Sequence, residues 1–357
     1  MNLFPIILAA GQGTRMNSTL PKVLHPIGGK PMLEHVVDSC RQLDVAKIAI
    51  IYGHGGELVR AKTNSKDILW VLQKEQKGTG HAVSQAAHLI DDSAVVIIAT
   101  GDVPLIKTQT LERLAEKLKD SNLSVLTTFL DNPFGYGRIV RNKKGKIEKI
   151  VEEKDATDEE KEINEINTGF IAAKGKDLKR WLIKIKPNNA QGEYYLTDCI
   201  ALAVEEGEIV DAAVCENPSE VQGINNRKQQ AELERTYQKE QAEELMLSGV
   251  TLADPSRIDI RGSLKAGKDV FLDVNTVFNG EVVLGDNVII ESGCVISDSN
   301  IESNSTIKAN SVIELASIGK SCDVGPFARI RPETVLHDHS KVGNFVEIKK
   351  SIIGEGS

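Results

Sequence analysis

The chain has 357 residues, of which 41% are hydrophobic and 26% charged, and its formal net charge is -8 at pH 7. This length exceeds that of one average domain and predicts two, while the composition is ordinary for a globular protein. The acidic balance argues against nonspecific binding to nucleic acid, which requires a basic face. The sequence has no apolar run of about eighteen residues and no apolar leader, so we expect a cytoplasmic protein that does not bind membranes.

The first predicted element is a buried strand over the apolar residues 3–8. A loop of small residues follows it and reads Ala9-Ala10-Gly11-Gln12-Gly13-Thr14-Arg15-Met16, with Pro21-Lys22 shortly after. In open α/β sheets, ligands bind at the carboxyl ends of strands. Gly11 and Gly13 let backbone N–H groups approach an anion closely, and Arg15 and Lys22 add positive charge. The stretch therefore predicts a phosphate-binding loop.

Two common phosphate loops do not fit this stretch. A P-loop needs Gly-x-x-x-x-Gly-Lys-Ser/Thr, and the dinucleotide fingerprint needs a third small residue where Met16 stands. The alternative interpretation is an ordinary strand-to-helix turn with two surface cations. The pattern Leu8-Ala9-Ala10-Gly11-x-Gly13-Thr14-Arg15-Met16, with Pro21-Lys22 downstream, favours the functional interpretation because it resembles the signature of sugar-1-phosphate nucleotidyltransferases.

Strand and helix patterns alternate from residue 2 to about residue 221. The predicted strands are residues 48–51, 68–72, 94–99 and 123–129, and the predicted helices include residues 31–43 and 108–118. This alternation predicts a mostly parallel sheet with helices on both faces. Residues 137–141 and 146–151 predict a hairpin, and the acidic run 155–165 is interpreted as a solvated loop or helix.

A polar, strongly helix-favouring stretch covers residues 226–248 and ends at Gly249. Such a helix would be roughly 30 Å long at about 1.5 Å per residue, enough to separate two domains. We therefore predict a first domain over residues 1–225, a linker helix over 226–249 and a second domain over 250–357. The alternative is a surface helix of the first domain.

A repeat with a period of six begins near Leu284 and includes three steps of five. The repeating aliphatic residues are Leu284, Ile290, Ile296, Ile301, Ile307, Ile313, Ile318, Val324, Ile330, Leu336, Val342, Ile348 and Ile353. Small or β-branched residues stand four positions after most of them, namely Val288, Cys294, Ser305, Ser311, Cys322, Ala328, Thr334, Ser340 and Val346. A short fixed period predicts a β-helix of hexapeptide repeats, three to a coil.

The chain has five cysteines, which are widely spaced and form no Cys-x-x-Cys pair. Neither a disulfide framework nor a zinc site is indicated, so we expect buried thiols. Cys294 and Cys322 would fill corners of the β-helix.

Two further polar stretches follow predicted strands. Gln73 opens the stretch Gln73-Lys74-Glu75-Gln76-Lys77-Gly78-Thr79-Gly80, and Thr100-Gly101-Asp102 follows the strand 94–99. A glutamine amide offers both a donor and an acceptor, which suits the edge of uracil. A carboxylate beside phosphates repels them unless a divalent cation intervenes, so Asp102 is a candidate Mg²⁺ ligand. The alternatives are a helix-capping Asp102 and a solvated Gln73.

Together these motifs resemble the bacterial bifunctional GlmU family, in which an N-acetylglucosamine-1-phosphate uridyltransferase is fused to a glucosamine-1-phosphate N-acetyltransferase. The resemblance covers essentially the whole chain. Its motifs are Leu8-Ala9-Ala10-Gly11, Pro21-Lys22-Val23-Leu24-His25, Gln73-x4-Gly78-Thr79, Gly101-Asp102, Gly135-Tyr136-Gly137-Arg138, Glu152 with Lys154-Asp155-Ala156, Asn167-Thr168-Gly169, Tyr195-Leu196-Thr197-Asp198, Asn225-Asn226-Arg227 and Gly325-Pro326-Phe327-Ala328-Arg329-Ile330-Arg331-Pro332.

The resemblance implies the fold and the activity. The fold would be an α/β Rossmann-like nucleotidyltransferase domain with a mixed, mostly parallel sheet, followed by a linker helix and a left-handed parallel β-helix that forms homotrimers. The activity would be Mg²⁺-dependent transfer of UMP from UTP to N-acetylglucosamine 1-phosphate, which yields UDP-N-acetylglucosamine and pyrophosphate for peptidoglycan and lipopolysaccharide precursors.

The resemblance also implies roles for individual residues. Asp102 and Asn225 would hold Mg²⁺, and Arg15 and Lys22 would neutralise the triphosphate as the catalytic cations. The remaining implied substrate contacts are Leu8, Ala9, Ala10, Gly11, Gln73, Gly78 and Thr79 around the nucleotide, Gly137, Glu152 and Asn167 around the sugar, and Thr100 and Gly101 in the lining of the pocket.

In the second domain, Arg331 and Lys349 stand three hexapeptides apart and would lie one above the other. The resemblance favours a clamp for a sugar phosphate, and the alternative is a pair of exposed cations on a solenoid.

The sequence departs from the family at its end. The acetyltransferase half of the family continues for further coils, which carry its histidine base and acetyl-CoA contacts, whereas this sequence ends at Ser357. We expect a C-terminally truncated form with little or no acetyltransferase activity, so acetyl-CoA is a co-substrate only of the full-length family. Two alternatives remain for the function: a nucleotidyltransferase for another sugar 1-phosphate, and a non-catalytic assembly subunit.

Overall fold

The apolar run at the start of the chain forms strand β1 (Leu3–Ala9), which lies inside the largest sheet. The computed structural model describes residues 1–63 and 66–357. Contacts divide the chain into an N-terminal unit, residues 1–25 with 31–230, and a C-terminal unit, residues 26–30 with 231–357.

Helices and strands alternate through the N-terminal unit. The further strands up to residue 230 are β2 (Pro26–Ile27), β3 (Lys30–Pro31), β4 (Ile48–Tyr52), β5 (Ile68–Leu72), β6 (Val95–Thr100), β7 (Leu123–Phe129), β8 (Arg138–Arg141), β9 (Ile147–Val151), β10 (Glu165–Lys174) and β11 (Val210–Val214). The helices are α1 (Met32–Arg41), α2 (Gly56–Lys62), α3 (Thr79–Gln85), α4 (Thr108–Glu116), α5 (Asp158–Lys161), α6 (Gly175–Leu182) and α7 (Asp198–Glu205). The predicted strands, hairpin and helices are confirmed to within a few residues.

The large sheet has the strand order β11-β7-β10-β6-β1-β4-β5. Strand β1 pairs in parallel with β4 and β6, where Ile6 lies opposite Ala49 and Ile98. Strand β10 runs antiparallel to β6 and β7 and has an irregular register between Asn167 and Ile171. The mixed, mostly parallel sheet is therefore confirmed, although β10 and β11 were not among the predicted strands.

Apolar side chains on both faces of the sheet form the core of the N-terminal unit. Ile7 belongs to the core cluster that contains buried side chains of α1 and α4, whereas its neighbour Ile6 belongs to the cluster that contains buried side chains of α3, α6 and α7. Successive side chains of a strand point to opposite faces, so one apolar strand serves both layers. Helix α1 shows the matching pattern, because its residues Leu33, Val36, Val37 and Cys40 recur at helical spacing and are fully buried.

Helix α8 (Arg227–Leu247) confirms the predicted long polar helix. Few of its side chains are buried, and one of these, Gln238, is polar. The amide of Gln238 donates to the carbonyl oxygen of Ile260 at 2.7 Å and accepts from the N–H of the same residue at 2.7 Å. Both polar ends of this buried side chain are thereby satisfied.

The C-terminal unit consists of short parallel strands stacked in coils. The strands are β12 (Thr251–Leu252), β13 (Ile258–Ala266), β14 (Phe271–Leu272), β15 (Thr276–Leu284), β16 (Ile289–Ile290), β17 (Val295–Ser297), β18 (Asn300–Ile301), β19 (Thr306–Ile307), β20 (Val312–Glu314), β21 (Ser317–Ile318), β22 (Asp323–Val324), β23 (Arg329–Ile330), β24 (Val335–Leu336), β25 (Lys341–Val342), β26 (Glu347–Ile348) and β27 (Ile352–Ile353). Ile290 pairs with Ile307, and Ile307 with Val324, so the same face returns after three repeats. The predicted β-helix is confirmed.

Side chains inside the coils follow the predicted pattern. The repeating aliphatic residues from Leu284 to Val342 are buried, and Ile348 and Ile353 pack partly buried against the same core. Corner residues such as Cys294, Ser311 and Cys322 are buried as predicted, whereas Val346 is 39% exposed. The coils begin before the repeat that is visible in the sequence. The early coils do not show the six-residue period, because β13 and β15 are continuous nine-residue strands.

The five cysteines are free and buried, as predicted. Burial raises the pKa of Cys40 to about 12 and that of Cys294 to about 11, so these thiols stay protonated near neutral pH. Within residues 1–63 and 66–357, no helix combines the length and the apolarity needed to cross a membrane.

A substitution at Gly262 tests the pairing register of strands β13 and β15. It lies opposite Gly280 in the pairing of β13 with β15, and its φ is +142°. A Cβ on Gly262 would overlap the carbonyl oxygen of Gly280, and a backbone atom cannot rotate away. We expect Gly262→Ala to lower the free energy of unfolding by roughly 2–3 kcal/mol in urea titrations.

Gly343→Ala is the matched control, because a Cβ on Gly343 would meet no heavy atom of the described residues within 4 Å. Equal stability of the two variants would contradict the pairing of Gly262 with Gly280.

Candidate active site

A cavity of about 280 Å³ lies where β1, β5 and β6 end. We call it the first cavity. Its lining includes the predicted residues Leu8, Ala9, Ala10, Gly11, Lys22, Gln73, Gly78, Thr79, Thr100 and Asp102. Gly101 lies between two of them, and its N–H donates to the carbonyl oxygen of Leu8 at 2.9 Å. The structure therefore brings the loops after three strands to one edge of the sheet, where parallel sheets bind ligands.

A second cavity, of about 230 Å³, adjoins the first. Leu8, Thr79 and Thr100 line both cavities. The predicted sugar contacts all line the second cavity, and they are Gly137, Glu152 and Asn167. The two groups of predicted residues therefore surround adjoining spaces that share a wall.

A cluster of polar side chains lies at the first cavity and is built around Lys22. The Nζ of Lys22 forms an ion pair with Asp102 and donates to Oδ1 of Asn225 at 2.9 Å. Arg15 donates from Nη2 to the same oxygen at 2.9 Å. The structure thus joins the four predicted catalytic and metal-binding residues in one hydrogen-bonded cluster, which we call the Lys22 cluster.

Gly13 allows the loop after β1 to approach Lys22. Its φ is +62°, and an added Cβ would come within 2.5 Å of Cβ of Lys22. A residue with a side chain would therefore push the phosphate-binding loop away from the lysine.

The oxygens of the Lys22 cluster suit a hard divalent cation. A carboxylate oxygen of Asp102 and Oδ1 of Asn225 converge on one cationic atom, Nζ of Lys22. Carboxylate and amide oxygens are common ligands of Mg²⁺, which takes few protein ligands when substrate phosphates complete its shell. Among the described residues, no three His, Cys, Asp or Glu side chains converge to form an all-protein metal site. The donor set therefore fits Mg²⁺ bound together with phosphate.

Glu152 is held in place in the second cavity. Its Oε1 accepts a hydrogen bond from Oγ1 of Thr197 at 3.1 Å. Burial raises the pKa of the Glu152 carboxyl, and the nearby carboxylates of Asp155 and Asp198 raise it further. An added Cβ on Gly137 would lie 3.2 Å from Oε2 of Glu152, so the hairpin backbone lies close against this carboxyl.

The irregular segment of β10 shapes the wall between the cavities. Asn167 accepts from the N–H of Gly169 at 3.0 Å, and its own N–H donates to the carbonyl oxygen of Gly137 at 2.8 Å. Thr100 faces this segment, and its buried Oγ1 has no hydrogen-bond partner within the part of the chain that the structure describes. Such a buried hydroxyl without a partner is uncommon in a folded protein, and here it lies in a residue that lines both cavities.

Arg331 and Lys349 belong to the C-terminal unit. Ile330 pairs with Ile348. Arg331 and Lys349 each follow one of these paired residues, so they lie at equivalent positions on adjacent coils. The N–H of Arg331 donates to the carbonyl oxygen of Ile348 at 2.9 Å, and its guanidinium forms an ion pair with Glu347 at 3.0 Å. The predicted stacking is present, while the role as a sugar-phosphate clamp stays a prediction.

Comparisons with known proteins give two domain matches and one full-length relative. The model of the MobA-like NTP transferase domain matches residues 5–149, and the model of the GMPPB C-terminal domain matches residues 260–357. The Bifunctional protein GlmU of Marinobacter nauticus is 55% identical over 355 residues, which are 99% of this chain and 78% of that protein. The chain belongs to the GlmU family. It is therefore a nucleotidyltransferase, and the enzyme class predicted from the sequence is confirmed.

Solved structures show the same fold at low identity. A UDP-glucose pyrophosphorylase complexed with UDP-glucose has a TM-score of 0.55 and 20% identity, over 67% of this chain and 100% of that one. A putative glucose-1-phosphate thymidylyltransferase from Bacillus anthracis has a TM-score of 0.52 and 21% identity, over 65% of this chain and 94% of that one. The GlmU family thus shares this fold with nucleotidyltransferases of diverged sequence.

Several lining residues were not assigned a role from the sequence. They are Val23, Gln76, Ala82 and Glu193 in the first cavity, and Gly135, Tyr136, Thr168, Gly169, Ile171, Leu196 and Thr197 in the second. Many of these stand inside GlmU-family motifs, which provided a signal for them. Glu193 has no such signal, because it precedes the motif that begins at Tyr195.

Asp198 provides a test of the electrostatics beside the second cavity. Burial raises the pKa of its carboxyl to about 6, and the carboxylate of Asp155 adds to the effect. The folded pKa lies above the unfolded value of 3.8, so the charged form destabilises the fold above pH 6, and the penalty is lost gradually as pH falls from 6 to 3.8. We expect Asp198→Asn to raise the melting temperature by roughly 2–4 °C at pH 8, about 1 kcal/mol, and by about half as much at pH 5.

Asp131→Asn serves as the control, because Asp131 is exposed. A benefit of Asp198→Asn that is the same at pH 5 and pH 8 would show that the burial of charge is not its cause.

Proposed function

We propose that the chain transfers UMP from UTP to N-acetylglucosamine 1-phosphate and releases UDP-N-acetylglucosamine and pyrophosphate. The observation that carries this proposal is the pair of adjoining cavities with a shared wall and the Lys22 cluster at one of them. When a nucleotidyl group passes from one substrate to the other, each substrate needs its own pocket. The phosphate groups of the two substrates must meet where the pockets adjoin. The first cavity would hold the nucleotide and the second the sugar.

The reaction follows from charge and position. A phosphate oxygen of N-acetylglucosamine 1-phosphate attacks the α-phosphorus of UTP in line, and the bond to the β-phosphate breaks as pyrophosphate leaves. The attacking oxygen is already anionic near neutral pH, so the reaction needs no general base. Catalysis is then positioning together with charge stabilisation, for which Arg15 and Lys22 supply the fixed positive charge.

In this proposal Asp102 and Asn225 would hold Mg²⁺. When bound, the ion would neutralise charge on the phosphates. The Lys22 cluster supports the assignment, because both oxygens already face a cation.

The proposed substrate contacts divide between the cavities. Gln73, Gly78, Thr79 and the backbone from Leu8 to Gly11 would surround the uridine, with Thr100 and Gly101 beside the phosphates. Gly137, Glu152 and Asn167 would contact the sugar. Support for Glu152 comes from its bond to Thr197 through Oε1, which leaves Oε2 close to Gly137, another residue of the same cavity lining.

We also propose that the chain acts in the cytoplasm and forms a homotrimer through its β-helix. Five free, buried thiols suit a reducing compartment. Exposed apolar side chains on the β-helix, among them Val283, Ile289 and Leu315, support an association surface. The product would supply precursors of peptidoglycan and lipopolysaccharide.

Pyrophosphate release tests the proposed substrates. With UTP and Mg²⁺, we expect rapid release with N-acetylglucosamine 1-phosphate and at least roughly tenfold slower release with glucose 1-phosphate, because contacts to the N-acetyl group are lost. A parallel series replaces UTP by dTTP. Equal rates with both sugars would contradict the assignment of the second cavity, and no release in any tube would contradict the proposed reaction.

Lys22→Ala tests the charge in the first cavity. We expect turnover to fall by roughly a hundredfold or more, the scale for loss of one preorganised charge contact. Steady-state turnover is measured beside Lys143→Ala, which removes an exposed lysine from the hairpin turn. Near-normal turnover of Lys22→Ala in a folded protein would remove this residue from the catalytic group.

A further inference from the structure

His81 contacts the side-chain amide of Gln73, and His81 itself does not line the first cavity. The side chain of Gln73 lines that cavity, yet the residue is only 3% exposed. Its Nε2 lies 3.0 Å from Nδ1 of His81 and 3.2 Å from the carbonyl oxygen of Gly78. The amide therefore has two acceptors on its protein side.

These two acceptors use both hydrogens of the Gln73 amide. A glutamine side chain has two donor hydrogens on nitrogen and one acceptor oxygen. Within the described part of the chain, no hydrogen bond reaches Oε1 of Gln73. The side chain thus offers a ligand in the cavity an acceptor only.

The arrangement requires one tautomer of His81. If Nδ1 accepts from Gln73, a neutral imidazole carries its hydrogen on Nε2. Nε2 of His81 lies 3.3 Å from the amide nitrogen of Gln85, which also donates to the carbonyl oxygen of His81 at 3.2 Å. A neutral ring cannot accept at both nitrogens, so one of the two amides must turn.

Gln85 is the amide that can turn at lower cost. It is half-buried at the end of helix α3, whereas Gln73 is buried. Turning either amide in place would bring its oxygen to 3.2 Å from a backbone carbonyl oxygen, that of Gly78 for Gln73 and that of His81 for Gln85, where two acceptors repel. The half-buried Gln85 can swing toward water to avoid this repulsion, whereas the buried Gln73 cannot. The orientation with Oε1 toward the cavity is therefore favoured.

The backbone around His81 is fixed. The N–H of Gly80 donates to the carbonyl oxygen of Tyr194 at 2.8 Å, and the N–H of Tyr194 donates to the carbonyl oxygen of Lys77 at 2.8 Å. The Tyr194 ring lies beside the imidazole, with 6.3 Å between centroids. His81 is thus placed to hold Gln73 before any ligand enters.

We propose that His81 is a positioning residue that orients the amide of Gln73 and thereby selects the base of the nucleotide. The ring nitrogen N3 is a donor in uracil and an acceptor in cytosine, so an outward Oε1 accepts from uracil and repels cytosine. This inference rests on the proposed function, which places the base at Gln73. The reversed amide would favour cytosine.

The test compares binding of UTP and CTP by titration calorimetry on the whole chain with Mg²⁺. His81→Phe keeps the ring volume but removes the acceptor, and we expect the preference for UTP over CTP to fall by roughly tenfold, the scale of one hydrogen bond. His81→Asn places an amide oxygen near the position of Nδ1 and should retain the preference. His81→Gln places its amide near Nε2 and should not. Gln85→Ala is the matched control on the other side of the ring and should leave the preference unchanged.

The same measurement distinguishes the possible failures. A general loss of fold lowers both affinities equally, so an unchanged preference in His81→Phe would overturn the inference, as would loss of the preference in Gln85→Ala. Wild-type protein that binds UTP and CTP equally would also overturn it, while pyrophosphate release could still support the proposed reaction. Failure of the wild type to bind UTP at all would contradict both.

Discussion

The ion pair between Lys22 and Asp102, shared with Asn225, is the interaction on which the arrangement of the first cavity depends. It joins residues that are 80 and 203 positions apart in the chain, so it brings three separate loops to one point. It also balances charge at a place where Asp102 alone would repel phosphates. In the proposed function, a phosphate that enters the cavity would compete with the carboxylate for the same lysine. The Lys22 cluster is ordered without substrate, so binding would exchange one set of charge contacts for another.

Much of the fold could be predicted because its signals are local. Strands such as β1, β4 and β6 are almost continuous apolar runs, and the inner side chains of the β-helix recur every five or six residues. Strand β10 was not predicted, because it follows an acidic run and Asn167, Thr168 and Gly169 interrupt its apolar residues. Its antiparallel place is set by partners far along the chain. The first coils were not visible as repeats, because their long strands β13 and β15 lack the aliphatic residue at every fifth or sixth position. Gly262 and Gly280 pair within these strands.

For the candidate site, the sequence predicted which residues take part but not how their side chains contact one another. Sequence motifs placed its residues at the ends of strands, and parallel strands bring those ends to one edge of the sheet. The sequence does not reveal that Lys22 pairs with Asp102, that Gly13 makes room for that lysine, or that His81 lies behind Gln73. Such facts depend on side-chain directions and on packing between distant segments. Glu193 illustrates the limit, because no local pattern marks it although it lines the first cavity.

The wall shared by the two cavities has a consequence for how this enzyme can diverge. Of these two cavities, Gln73 lines the first and Glu152 the second. Under the proposed assignment of substrates, a substitution at either position would alter the choice of one substrate and leave the other pocket unchanged. Thr100 borders both cavities, so an exchange there would act on both substrates at once. New specificities would therefore arise at the outer ends of the two pockets, whereas the residues between them would be constrained by two ligands together.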